Sequence, residues 1–386
     1  MNLISRTSHF PAIDPYALTE VLRQRFQSDD LYVVAWSIHP LRHFTVFPTT
    51  GGVYRLSGQA CMDKEASNWS MIVKIIRQDS STEIDHMWYW KREPLVYKSA
   101  LLTTLPGSLR TARCYAVTEP SDREIWIWLE DLVDQNNDHW PLSAYGEAAY
   151  ALGQFNGMYA DSENIPSYRW LTRNFLTSYS SQFMSRVALV CDPLTWRHPQ
   201  LREAFQTPVA NRLLAIHVER DLLLRILEKL PQALCHSDFG RDNLFITDPV
   251  DGDGRVVATD WSCVGIGAVG QDLATLNLPN YRDQEQIDPA RIEDTILPQY
   301  IRGLRSYGWN GSDQLVQIGF HVTLAVRWTY ALARNISWIV VENRQSQLEA
   351  GYGRSLHQSM IRWAAATYYV LDRFDDVRPQ LSSFTS

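Results

Sequence analysis

Apolar residues keep two different rhythms along this chain. Between residues 31 and 77 they come in short β-rich runs, "LYVVAW", "FTVF", "GVYRLSGQA" and "WSMIVKII", which predict an antiparallel sheet with hairpins. Ahead of them "IDPYALTEVLRQRFQ" has helical spacing, with Asp14 placed to cap it and Pro15 suited to its first turn. A further helix is expected over 83–102, carrying "WYWKREPLVYKSALL", where Pro94 either starts or kinks it. Two more strands, "TARCYAV" and "EIWIWLEDL", complete a five-stranded lobe.

After residue 132 the period becomes helical. "LSAYGEAAYALGQFNGMYA", "VANRLLAIHVERDLLLRILEKL" and "FHVTLAVRWTYALARNISWIVV" all repeat at i, i+3 and i+4. One β interruption surrounds "LCHSDFGRDNLFI". The pattern predicts an α+β chain with two lobes. Residues 1–130 make a small antiparallel β lobe with a helix, and residues 131–386 a larger, mainly helical lobe, with a cleft between the two.

The β interruption contains two competing motifs. Its Asp-Phe-Gly is the tripeptide that holds magnesium in protein kinases, and a base-bearing loop should then lie upstream. Only the helix "RDLLLRILEKLPQAL" lies there, so that reading fails. The same letters spell His-x-Asp-x-x-x-x-Asn, in which His236, Asp238 and Asn243 form a catalytic loop. After Asn243, "LFIT" and "VVAT" flank a turn rich in Asp, Pro and Gly, a hairpin signature. Centring that turn on Asp251 and Gly252 sets Asn243 opposite Asp260. An amide oxygen and a carboxylate then meet as magnesium on a nucleotide phosphate requires. The turn itself lacks the sixth-position Gly and terminal Glu of a calcium loop.

A phosphate site also needs a cation. Lys74 in "MIVKII" lies among apolar strand residues, where an amine is costly unless paired or bound to an anion; the alternative is an edge strand pointing it to water. Glu93 is the preferred partner and Glu83 the competitor. Gly51 and Gly52 lie in a stretch whose backbone N–H groups either cradle phosphates or form an ordinary turn. At "WLEDL" the Glu130 carbonyl and the Leu132 N–H either meet adenine or end a plain strand.

Composition narrows the setting. A chain of 386 residues that is 45% hydrophobic can build two lobes, and its 14 Trp and 18 Tyr make them aromatic. The longest apolar run, near "SWIVV", is too short to span a bilayer, and the first residues lack a secretory layout. Five dispersed Cys without any C-x-x-C pairing fit reduced thiols in a cytoplasm better than disulfides or zinc. A formal charge of -7 argues against nucleic acid. The expectation is a cytoplasmic protein with neither membrane nor nucleic acid as partner.

Taken together, Lys74, Glu93, "LEDL", "HSDFGRDN", "TDW" and "QDLA" resemble the aminoglycoside phosphotransferase and choline kinase-like family, over residues 49–276. The resemblance implies a protein-kinase-like fold, ATP and Mg2+ as cofactors, and a small hydroxylated molecule as acceptor. It implies Asp238 as catalytic base, His236 as the hydrogen-bonding buttress of the loop, and Asn243 with Asp260 as metal ligands. Asp272 matches the family's structural aspartate near the loop, although a helix N-cap explains it equally well. The family usually has Gly at Ser237, and often His-Pro-Gly where Gly240, Arg241 and Asp242 stand. Tyr168, Trp170, Trp196 and Trp328 are candidates to line an acceptor pocket. Two rival readings are a nucleotide-binding protein without turnover and a protein kinase. The intact Asp238, Asn243 and Asp260 speak against the first, and the missing activation segment and anchor against the second.

Overall fold

A computed structural model describes residues 12–41, 50–78, 83–136, 139–160, 162–206, 208–248, 255–278 and 287–384. In chain order the longer elements are α1 (Pro15–Phe26), β1 (Tyr32–Pro40), β2 (Thr50–Met62), β3 (Glu65–Arg77), α2 (Arg92–Lys98), β4 (Leu109–Thr111), β5 (Cys114–Ser121) and β6 (Glu124–Glu130). There follow α3 (Leu142–Met158), α4 (Phe175–Gln182), α5 (Met184–Cys191), α6 (Pro199–Ala204), α7 (Ala210–Lys229), β7 (Gln232–Cys235), β8 (Leu244–Ile246), β9 (Val256–Ala258) and β10 (Gly265–Ala268). The chain closes with α8 (Leu273–Asn277), α9 (Pro289–Ser306), α10 (Asp313–Val340), α11 (Gln345–Tyr352) and α12 (Leu356–Val377).

Residues 1–80 and 112–132 form one compact unit. Its five strands are antiparallel in the order β1-β2-β3-β6-β5, matching the alternating pattern of the sequence. α1 begins as expected, with Pro15 in its first turn and Asp14 Oδ1 accepting the Tyr16 N–H at 3.0 Å. Its apolar face, Leu18, Val21 and Leu22, packs in one core with Leu56, Met71, Val73 and Trp128 of the sheet. Each such side chain contributes about 1.5–3 kcal/mol on burial. The run "FTVF" lies outside the described residues.

Residues 81–111 and 133–386 form the second unit. Contacts therefore group 81–111 with the helical part, whereas the sequence reading placed them with the sheet. The physical links are plain: β4 pairs in parallel with β9, and Arg92 of α2 donates to five carbonyls of this unit, those of Ile84, His86, Met87, Trp170 and Ser262. The helix expected over 83–102 is shorter, being α2 followed by a single 3-10 turn at Ala100–Leu102. Pro94 explains this. Its missing N–H is harmless only in a first turn, and further inside a helix its ring would strike the carbonyl of residue 90.

In the helical part, α3 and α9 cross closely. A Cβ on Gly153 would lie 2.1 Å from the Tyr300 carbonyl oxygen, and one on Gly303 2.2 Å from that of Tyr150. α10 runs through the core over 28 residues. Among the described residues no helix is long and apolar enough to cross a membrane.

Candidate functional site

The loop joining β7 to β8 carries the motif. β7 pairs with β10, so that Cys235 faces Gly265. Immediately after it, the N–H groups of His236 and Ser237 both donate to the Asp272 carboxylate, each at 2.8 Å. Asp272 precedes α8 but its side chain makes no cap bond there. Of the two readings of this residue, the structure supports the aspartate that clips the loop. Burial raises its pKa, against the two backbone N–H groups and His236, which lower it.

Ser237 takes a left-handed conformation, φ 65°. A side chain costs about 1–2 kcal/mol there, which gives a physical reason for the glycine that the resembling family has at this position. The turn points Asp238 away from Phe239, whose ring is fully buried beside His236. The Gly240 N–H returns to the Asp238 carbonyl at 2.8 Å, and the Asn243 N–H to the Gly240 carbonyl at 2.9 Å.

His236 is buried. Its Nε2 lies 3.0 Å from the Thr259 carbonyl, and its Nδ1 lies 3.3 Å from the Asp238 N–H. One ring nitrogen must therefore donate and the other accept, which assigns the neutral tautomer with hydrogen on Nε2. Burial lowers the imidazole pKa despite the nearby carboxylates of Asp272, Asp238 and Asp260. These contacts make His236 a brace between the loop and β9.

The hairpin forms, but its register differs by one residue from the expected one. Leu244 pairs with Ala258 and Ile246 with Val256, so Asn243 faces Thr259 and not Asp260. The Thr259 N–H and Oγ1 both bond the Asn243 carbonyl, at 2.9 and 3.1 Å. The connecting turn, on which the expected register was centred, lies outside the described residues. A one-residue slip sends the following side chain to the other face of a regular strand. Here the strand ends first, because Asp260 is itself left-handed, φ 59°, and starts a 3-10 turn at Trp261–Cys263. Asp238 and Asp260 both raise the Cys263 thiol pKa, after burial, the larger cause. The two carboxylates thus share one neighbourhood.

The remaining sequence-selected residues are distributed over the two units. Lys74 lies in β3, opposite Val53 and Ile127, and β3 is an inner strand, which removes the edge-strand alternative. Gly51 and Gly52 belong to the start of β2, where a bulge shifts the register between Thr50 and Gly52, and not to a free turn. Glu130 ends β6 opposite Met71, and Leu132 ends the first unit. Glu93 is buried in the first turn of α2, in the second unit. Of the aromatic candidates, Trp328 is core, its indole N–H donating to Thr367 at 2.9 Å. Trp196 packs against Phe205, while Tyr168 and Trp170 stack at 4.7 Å.

Two arginines missed in the sequence shape the loop. Arg241 forms a buried ion pair with Asp134 at 2.9 Å, bonds the Leu244 carbonyl at 3.0 Å and lies over Trp140. It anchors the segment where the family often has Pro. Arg327 of α10 donates to Asp238 Oδ1 at 2.6 Å. A charge inside "HVTLAVRWTYALA" carries the same signal that singled out Lys74: a cation in an apolar run needs an anion.

Among the described residues no group of three or more His, Cys, Asp or Glu side chains could hold a metal ion. The side chain of Asn243 carries an amide oxygen and that of Asp260 a carboxylate, the donor types that a hard divalent cation takes.

No curated protein matches the sequence. Two solved structures similar along nearly their whole length are those of a spectinomycin phosphotransferase in complex with ADP and spectinomycin, and of the choline kinase from Cryptosporidium parvum Iowa II. The first is 14% identical, with a TM-score of 0.53, covering 94% of this chain and 100% of that one. The second is 10% identical, with a TM-score of 0.51, covering 95% and 97%. At such identities they show the fold, which is protein-kinase-like. Residues 118–309, a stretch that contains the whole β7–β8 loop, match the model of the phosphotransferase enzyme family.

Proposed function

We propose that the protein transfers the γ-phosphoryl group of ATP to a hydroxyl of a small molecule. The observation that carries this reading is the state of Asp238: its Oδ2 and carbonyl accept from Asn243 Nδ2 at 3.1 and 2.9 Å, in a loop whose preceding N–H groups are tied to Asp272. Phosphoryl transfer needs mainly alignment and charge neutralisation, and a carboxylate fixed in this way aligns an acceptor hydroxyl.

In this reading Asp238 accepts the hydrogen bond of the attacking hydroxyl and takes its proton late. With its NH2 turned to Asp238, Asn243 directs its Oδ1 the other way, where with Asp260 it would hold Mg2+ on the nucleotide. Bound there, the ion would draw negative charge from the phosphate oxygens. In the same reading Lys74, with the backbone of Gly51 and Gly52, is the phosphate-binding cation of the first unit. The Glu130 carbonyl and Leu132 N–H receive adenine. Five free thiols fit a cytoplasmic protein.

The test is an ATP-consumption screen of the full chain against hydroxylated metabolites and antibiotics, with Asp238→Asn as control. An acceptor that raises consumption only in the wild type supports the reading. Equal, acceptor-dependent consumption by the variant would overturn the role of Asp238.

A further inference from the structure

Arg327 reaches the loop from outside it. Its Nη2 donates to Asp238 Oδ1 at 2.6 Å and its Nη1 to the Ser237 carbonyl at 2.7 Å. The guanidinium lies over the rings of Phe175 and Tyr179 on α4, 5.2 Å from each centroid. With Asn243 on Oδ2, both carboxylate oxygens carry a donor before any acceptor arrives. Neither partner is sealed off, since the Asp238 side chain is 25% exposed and that of Arg327 12%.

Two consequences bear on the acceptor. A carboxylate already neutralised by a guanidinium offers little net attraction to an ammonium group. The guanidinium also places a fixed positive charge beside the reacting hydroxyl. Like charges a few ångströms apart near a protein surface cost binding by about 10- to 100-fold once partly screened. Aromatic faces that would otherwise welcome a cation are taken as well. Two turns along α10, Arg334 lies over Phe183 and Trp338 at 5.6 and 5.0 Å, while donating to the neutral Asn335 amide at 3.1 Å. Phe175 and Tyr179 of α4, and Phe183 just past its end, thus face protein guanidiniums.

Resting on Asp238 as the base, we propose that the acceptor carries no cationic group beside its reacting hydroxyl, being neutral or anionic there, and that Arg327 is the residue that sets this preference. Arg327 acts through Asp238 and through its own charge, so it is a positioning and specificity-determining residue.

Matched triplets test this: an amine, a neutral and a carboxylate form of one scaffold, such as glucosamine, glucose and glucuronate, and an amino alcohol with its diol and hydroxy acid. In the wild type, kcat/KM for the better non-cationic member should exceed that for the amine at least 10-fold. Arg327→Gln should shrink or invert that ratio, whereas Arg327→Lys should keep its sign with lower kcat. Where no member is turned over, calorimetric binding to the nucleotide-loaded protein decides by the same ratios. Preference of the wild type for amines, a ratio unchanged in Arg327→Gln, or no binding of any non-cationic member overturns the proposal. If the Gln variant is unfolded by circular dichroism, the wild-type ratio and the Lys variant decide. An Asp238→Asn protein that keeps turnover together with the charge preference would instead sink the base assignment alone.

Discussion

Asn243 donates from one nitrogen to both the carbonyl and Oδ2 of Asp238, at 2.9 and 3.1 Å. The last residue of the motif thereby fixes the rotamer of the third, and the amide oxygen is turned away from that carboxylate. One side chain serves as clamp and as prospective metal ligand. Asn243→Ala removes both functions, so turnover at saturating nucleotide should fall by roughly 100-fold or more. Steady-state kinetics on an acceptor identified by the screen would measure this.

Asp238 and Asp260 should separate in binding experiments. Asp238→Asn is expected to retain nucleotide affinity within a few-fold while losing turnover. Asp260→Ala should weaken the nucleotide in the presence of magnesium and change little in its absence. Calorimetry with and without the metal distinguishes the two, and identical behaviour of the variants would remove the division of roles.

Asp272 gives one oxygen to each of two backbone N–H groups, those of His236 and Ser237. Asn in its place offers a single acceptor and turns an NH2 toward the second N–H. The expected cost of Asp272→Asn is about 1–3 kcal/mol, read from chemical denaturation, with loss of turnover because the loop is no longer clipped.

Ser237→Gly should stabilise the protein by up to about 1 kcal/mol. Relief of the left-handed strain outweighs the greater freedom of glycine in the unfolded chain. Ser237→Val should destabilise it, since a β-branched side chain is poorly accommodated at φ 65°. Melting temperatures of the pair test the sign.

Glu293 of α9 accepts from His321 Nε2 at 2.9 Å, Tyr369 Oη at 2.7 Å and Arg373 Nε at 2.7 Å. Burial alone would raise its pKa, but these donors outweigh it and bring the carboxyl from 4.5 down to about 2. A depressed acid contributes stability that is fully present above its unfolded value and lost as pH falls through the folded one. That contribution should therefore disappear between pH 4.5 and about 2. Glu293→Gln should cost on the order of 3 kcal/mol at pH 7, and its stability should fall less steeply across that window.

Much of this molecule was legible before any coordinates. The capped first helix, the antiparallel strands, the helical second part and the β7–β8 loop all follow from local rules: apolar period, cap chemistry and motif spacing. Lys74 and Arg327 show where reading stopped. The same argument, a cation in an apolar run, applied to both, yet only Lys74 stood near a recognised pattern. Arg327 lies 89 residues beyond Asp238, and no spacing rule connects them.

By itself the sequence determined which segments would be strand or helix and where the motif loop would lie, because those depend on side-chain chemistry and neighbours in the chain. Only the tertiary structure decided the hairpin register, the clip from Asp272 and the guanidinium on Asp238. Each of these is a choice among nearly equal local options. Long-range hydrogen bonds settle such choices, since a buried donor left unmade costs more than any local preference supplies.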